Sequence, residues 1–271
     1  MFLRPVLLLA ALASPAMAEL SLHANAPGLD LVPLASLPAA PAEQGEVELC
    51  AHLFVETITT PGGKDVAAKG WHVTAELPFG DLTAVSFVGG AAPATSGTCQ
   101  LLDGNVGLYS GSQLVGLLYS SQPDELMIGH IRPFGDGLRI LSGDVLPGTT
   151  ADLVRNGDQI TATEPAKEEP VCNGKGIVPQ IEGLPIDKAR TRLASAGWTP
   201  IPADPTMQSL GMAQSLAVAG ITEVEDCSGT GFGFCGFSYS GAAGELFVVT
   251  AGEGGEDGSL PYVSAYEARC H

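Results

Sequence analysis

Apolar and polar positions alternate in short runs from Glu46 to Thr163, broken at close intervals by Gly, Pro, Ser and Asp. That is the period and punctuation of β-strands joined by turns. Val47, Leu49, Ala51, Leu53 and Val55 form one alternating set. Trp71, Val73, Ala75 and Leu77 form a second, and Leu82 to Val88 a third, with Pro61-Gly62-Gly63 read as a turn. Further strands are expected at 106–109, 113–119, 125–131, 138–141 and 159–163, with a helical turn at 152–155. Many short strands of this kind predict an all-β sandwich or small barrel. The pattern changes after residue 172. Ile186, Ala189, Leu193 and Ala196 lie on one stripe of a helix, with Asp187 at its start and Gly197 as its C-cap. A second helix is expected over 206–219 before Gly220, then strands at 222–226, 235–240, 245–250 and 262–265.

The segments around these patterns set the domain organisation. Residues 1–18 read as a secretory signal peptide: Arg4 is the charged start, Val6 to Ala13 the apolar run, and Ala16-Met17-Ala18 the small-residue cleavage site. The apolar run is shorter than the ~20 residues a membrane-spanning helix needs. Residues 19–45, rich in Pro and Ala, lack a sustained period and read as an extended leader lying against the first domain. Residues 46–163 are that domain, rich in β-structure. Residues 164–171 (EPAKEEPV) are charged, carry two Pro and offer no side chain suited to a core, so they read as a linker. Residues 172–271 are a small α+β domain. The fold class expected is therefore α+β, an all-β domain followed by a disulfide-stapled α+β domain.

Composition narrows the function classes. Thirty acids stand against 12 bases, a formal net charge of −18. A nucleic-acid ligand requires a basic footprint, so nucleic acid is not expected as a partner. Acidity is concentrated in residues 19–171, with 19 acids and 6 bases. Such a surface steers basic partners. Aromatic content is 6%, too little for an extended carbohydrate-stacking platform. Trp71 and Trp198 read as core or edge residues.

Val178-Pro179, Ile181-Glu182-Gly183, Ala189-Arg190 and Gly197 follow one another as a Val-Pro start, a Gly turn, a helix with an Ala-Arg pair and a closing Gly. The stretch Ile177 to Ile201 thereby resembles the opening of a PASTA domain. Past Ile201 the chain departs from that pattern. With Gly197-Trp198, the Cys227 to Cys235 loop and Val248-Val249-Thr250, residues 172–271 resemble an uncharacterised exported bacterial domain that implies no particular activity. The PASTA likeness implies a cell-envelope ligand or a partner protein. Residues 46–163 resemble no family.

An exported chain sits in an oxidising compartment, where cysteines form disulfides. Cys50, Cys99, Cys172, Cys227, Cys235 and Cys270 allow fifteen connectivities. A domain-local solution pairs Cys50 with Cys99, Cys172 with Cys270, and Cys227 with Cys235 across a Gly-rich loop. These six are structural candidates; a zinc site does not fit their spacing, and no CxxC supplies a low-pKa thiolate for redox exchange. Gly231, Gly233 and Gly236 satisfy GxGxxG, but strand-forming residues follow where a dinucleotide site needs a helix. His52, His72 and His130 fall on expected strands, without a close pair to indicate a metal. There is no GxSxG elbow. No catalytic, cofactor-binding or metal-ligating residue is therefore nominated, and no cofactor is expected.

The function expected is that of a non-catalytic exported, periplasmic or extracellular protein. It binds a cell-envelope component or a partner protein, and is soluble and not membrane-spanning after signal removal. Two alternatives stand beside this: an acidic inhibitor of a basic secreted hydrolase, and a hydrolase with an unrecognised site.

Overall fold

A computed structural model describes residues 20–123, 125–206, 208–255 and 257–271. The expected signal peptide lies outside them. The described chain is mainly β with three short α-helices and two 3-10 segments, and no helix in it is long and apolar enough to cross a membrane.

Before residue 164 the strands are β1 (Ser21–Ala24), β2 (Leu29–Val32), β3 (His72–Phe79), β4 (Leu82–Val88), β5 (Gly90–Pro93), β6 (Cys99–Leu102), β7 (Asn105–Ser110), β8 (Gln113–Ser120), β9 (Ile128–Phe134), β10 (Gly137–Ser142), β11 (Thr149–Asn156) and β12 (Gln159–Thr163). One sheet runs β1-β12-β11-β10-β9, the other β2-β8-β7-β4-β3, and β5 pairs with β6. The β1–β12 pairing is parallel. Leu82, Ala84, Val106, Leu108 and Leu118 of the second sheet share one core with Ile131, Leu138, Ile140, Leu153 and Ile160 of the first. The two sheets thus face each other, and no closed barrel forms among the described residues.

Because strand side chains alternate in direction, Val85, Phe87, Tyr109 and Leu114 face away from that core. They form a second apolar layer with Leu37, Val66 and Val73. Helix α1 (Pro61–Ala68) helps to cover this layer. Pro61 opens α1, so the expected Pro61-Gly62-Gly63 turn is instead a helix start. The Thr60 side chain caps the Gly63 N–H at 3.0 Å. The Glu76 carboxylate accepts the Thr59 and Thr60 N–H groups at 2.8 and 2.9 Å. Gly62 is required because the Tyr109 ring occupies the place of a β-carbon.

Three more expectations are corrected. The alternating set at 47–55 forms a 3-10 helix over Val47–Leu53. Cys50, fully buried and bonded to Cys99, draws one residue inward, while Leu49 stays 62% exposed. The expected helical turn at 152–155 lies within β11, because Asp152 is buried against Arg139 of β10. The leader supplies β1 and β2, which complete both sheets.

The C-terminal part has strands β13 (Glu168–Val171), β14 (Gly176–Pro179), β15 (Thr199–Pro200), β16 (Val224–Cys227), β17 (Cys235–Gly241), β18 (Gly244–Ala251) and β19 (Tyr262–Cys270), and helices α2 (Ile186–Ser195) and α3 (Gly211–Val218). One sheet runs β15-β17-β18-β19, with β16 also on β17. Ile186, Ala189 and Leu193 of α2 are fully buried in a core with Trp198, Phe237, Tyr239, Leu246 and Val248. Helix α3 is shorter than the expected 206–219 helix and starts at Gly211. Disulfides join Cys50 to Cys99, Cys172 to Cys270 and Cys227 to Cys235.

Residues 168–171 form a strand, and one of them is buried, contrary to the expectation that this segment holds no core side chain. Glu169 is 8% exposed. Arg132 grips it through two hydrogen bonds at 2.6 and 2.7 Å, Arg139 donates at 3.1 Å and the Tyr266 hydroxyl at 2.6 Å. Arg139 also forks onto Asp152 at 2.8 and 3.1 Å and lies 3.8 Å over the Phe134 ring. Buried charges persist only when paired in this way. The cluster joins β9, β10 and β11 to β13 and β19. Glu182 adds a further link by accepting the Thr149 hydroxyl at 2.6 Å.

Candidate functional site

The outer face of the second sheet is covered along most of its length and open at one end. There Asn105 of β7 stands opposite Tyr119 of β8 and Phe87 of β4. Leu117 lies two residues along β8 from Tyr119 and so shares its face. Asn105, Leu117 and Tyr119 floor a cavity of about 360 Å³. Trp71 and Pro41 form one wall, and Leu126 and Met127 the other.

Each wall is held in place. The Trp71 indole N–H donates to the Pro38 carbonyl at 3.0 Å, and its ring meets Phe87 edge-on at 5.1 Å. The opposite wall is pinned by the Leu126 N–H on the Gln122 carbonyl and the Gly143 N–H on the Met127 carbonyl, both at 2.8 Å. Gly104 permits the close approach of this wall, since a β-carbon there would collide with the Ile128 carbonyl. Asp103 takes a left-handed conformation at φ 53°, a region Asp and Asn enter more readily than other non-glycine residues. The Asn105 amide holds its carbonyl at 2.7 Å. The Asp103 side chain is exposed at the rim of the cavity. Among the described residues, neither its carboxylate nor the Tyr119 hydroxyl has a hydrogen-bond partner.

A second concavity, about 580 Å³, lies in the C-terminal part between the start of α3 and the loop closed by Cys227–Cys235. Among the described residues Asp226 and Glu253 are its ionisable lining groups, and Leu210 stands 80% exposed at its edge. Ser228 organises the loop: its hydroxyl accepts the Phe234 N–H at 2.9 Å, and its N–H donates to the Phe234 carbonyl at 2.7 Å. After Gly236 the chain continues as strand β17, so the GxGxxG glycines belong to a hairpin. Ser96, in the turn Thr95–Gly97, packs against Gly231.

The histidines take separate environments. His52 is exposed on the 3-10 helix. His72 stacks on Phe54 at 4.9 Å and bonds to Gln44 at 3.0 Å. Burial lowers its proton affinity, against the field of Glu48. Burial also lowers that of His130. Among the described residues no group of three or more His, Cys, Asp or Glu side chains is placed to hold a metal ion.

Sequence reasoning missed the first cavity. Periodicity places Trp71 and Tyr119 in separate strands and gives no sign that they share a site. The one usable signal is the Asp103-Gly104-Asn105 turn that opens a hairpin of the expected strands 106–109 and 113–119, the second ending in Tyr119. In comparison with known proteins, the chain matches no family model, no curated protein and no solved structure.

Proposed function

We propose that this protein is exported and non-catalytic, and that it binds a component of the cell envelope. The observation that carries this reading is the Trp71–Tyr119 cavity, a concave site of small-molecule size. It combines apolar and aromatic walls with a few polar groups, the composition of ligand sites in general. Three disulfides fit an oxidising, exported setting. The sandwich core, which includes the leader strands β1 and β2, and the separate C-terminal core, to which Val171 of β13 belongs, support reading the chain as a β-sandwich domain followed by a smaller α+β domain with a PASTA-like opening, the cut falling before β13. Co-sedimentation with purified peptidoglycan and pull-down from an envelope extract test the function. Enrichment in either is expected, and its failure in both overturns the reading.

The second groove favours a rival occupant, a basic protein. Asp226 and Glu253 beside exposed Leu210 offer charge with an apolar anchor, the combination that steers and then holds a cationic surface. An inhibitor of a basic secreted hydrolase would act this way. Its inhibition of lysozyme-like enzymes would weaken steeply as salt rises, and salt-insensitive or absent inhibition removes this reading.

A further inference from the structure

We propose that the Trp71–Tyr119 cavity is a binding site for one or two rings of a neutral saccharide. The proposal rests on the envelope-binding reading above and names the chemistry of its ligand. A sugar ring has an apolar C–H face and a rim of hydroxyls, each of which donates one hydrogen bond and accepts others. The cavity is differentiated in the same way. Trp71 has its only polar atom occupied by the Pro38 carbonyl, so it presents hydrocarbon and ring surface alone. Leu117 and Leu126 add to that apolar surface. The polar groups cluster between these apolar surfaces, in the floor and at the rim: Asn105 and Tyr119 are cross-strand neighbours, and Asp103 is two residues from Asn105. The Asp103 carboxylate accepts only, the Asn105 amide accepts through Oδ1, and the Tyr119 hydroxyl both donates and accepts.

Other ligand classes fit less well. A wholly apolar ligand would leave Asn105 and Tyr119 in the floor without partners, which is costly once water is excluded. An anion would meet the Asp103 charge on a chain of net charge −18, and among the described residues no Lys or Arg lines the cavity. A cation would find, among the described lining residues, one rim-exposed carboxylate, and such an ion pair is weak. The size also decides. At about 360 Å³ the cavity lies near the lower end of the roughly 300–1,000 Å³ of small-molecule sites. That accommodates a terminal sugar or disaccharide rather than a long glycan laid along a flat surface.

The test is saturation-transfer NMR and calorimetry on the mature chain. The probes are N-acetylglucosamine, glucose and their β-1,4-linked disaccharides, with glucuronate, glucosamine and an apolar dye as comparators. Saturable binding of at least one neutral sugar is expected. It should weaken at least tenfold in Asp103→Asn, which keeps the left-handed turn, and in Tyr119→Ala. Leu210→Ala, in the other groove, should leave it unchanged. Trp71→Phe retains a ring against Phe87 and should weaken binding less than Trp71→Ala; if the latter fails to fold, the Asp103 and Tyr119 variants still decide. The proposal is overturned if no neutral sugar binds, if an ionic sugar or the dye binds in preference, or if Asp103→Asn and Tyr119→Ala bind as the parent does. Should the mature chain still be enriched on envelope material in that event, only the saccharide assignment falls. If that enrichment fails as well, the envelope-binding reading falls with it.

Discussion

Two buried glutamates show how differently this chain handles the same problem. Glu169 lies where the two parts of the molecule meet and is held by Arg132, Arg139 and Tyr266. Glu223 lies within the C-terminal core at 0% exposure. It is held by the Tyr239 hydroxyl at 2.9 Å and Arg190 at 3.1 Å, and its Oε2 atom has no hydrogen-bond partner. Burying a carboxylate costs several kcal/mol after relaxation, so the number of partners decides how much of that cost is recovered. The seam is over-determined, while the C-terminal core depends on two contacts. In both places burial, together with the nearby carboxylate, raises the tyrosine pKa and keeps the phenol protonated as a donor.

The largest expected effect comes from removing the residue that links two carboxylates at the seam. Arg139→Ala leaves Asp152 without its ion-pair partner at 1% side-chain exposure and should destabilise the chain by about 3–5 kcal/mol. Each part holds one of the two tryptophans, Trp71 and Trp198, so urea unfolding followed in single-tryptophan variants reads the parts separately. A loss confined to one reporter would contradict a shared junction.

The next pair sharpens the contrast directly. Tyr239→Phe removes one of two partners of Glu223 and should cost about 1.5–3 kcal/mol. Tyr266→Phe leaves Glu169 its two arginines and should cost about 1 kcal/mol. Equal losses in thermal or chemical denaturation would mean that partner count does not govern these sites.

The pH dependence of the seam comes from Glu169. Burial alone would raise its pKa. The hydrogen bonds from Arg132 and Tyr266 and the charges of Arg132 and Arg139 outweigh burial and hold it below the ordinary value. A folded-state pKa below the unfolded one contributes stability that is present above the unfolded value of about 4.3 and is lost as pH falls through the folded value. The acid limb of the stability curve below about pH 4.3 should therefore be shallower in Glu169→Gln than in the parent. Superimposable limbs would show that Glu169 does not titrate differently on folding.

The smallest effect belongs to a charge that the solvent already satisfies. Arg269 and Glu267 stand 3.9 Å apart, with both side chains mostly exposed. Arg269→Ala should move stability by no more than about 0.5 kcal/mol. A larger shift would point instead to its stacking over Phe247.

Legibility tracked the range of the interaction. The strands expected at 113–119 and 138–141 correspond to β8 and β10, and the helix stripe at Ile186, Ala189 and Leu193 is buried, because period is a property of neighbouring residues. The reading failed where a partner far along the chain overrode period. Cys50 turned an alternating set into a 3-10 helix, the Tyr109 ring took the space beside Gly62 in α1, and Arg139 fixed Asp152 in a strand. The candidate site was illegible for the same reason. Trp71, Asp103 and Tyr119 come from three separate stretches, and only the register of β4, β7 and β8 sets Asn105 beside Tyr119 and Phe87.

By itself, then, the sequence determined the β-rich character of the first part, the α2 stripe and its end at Gly197, and the excess of acid over base. Tertiary structure alone decided which charges are buried and where a ligand can enter. Residues 97 positions apart, such as Glu169 and Tyr266, meet at 2.6 Å only after the sheets have set their register. Local periodicity specifies which face of an element seeks a core; it carries no information about which distant side chain will complete a buried charge or wall a cavity.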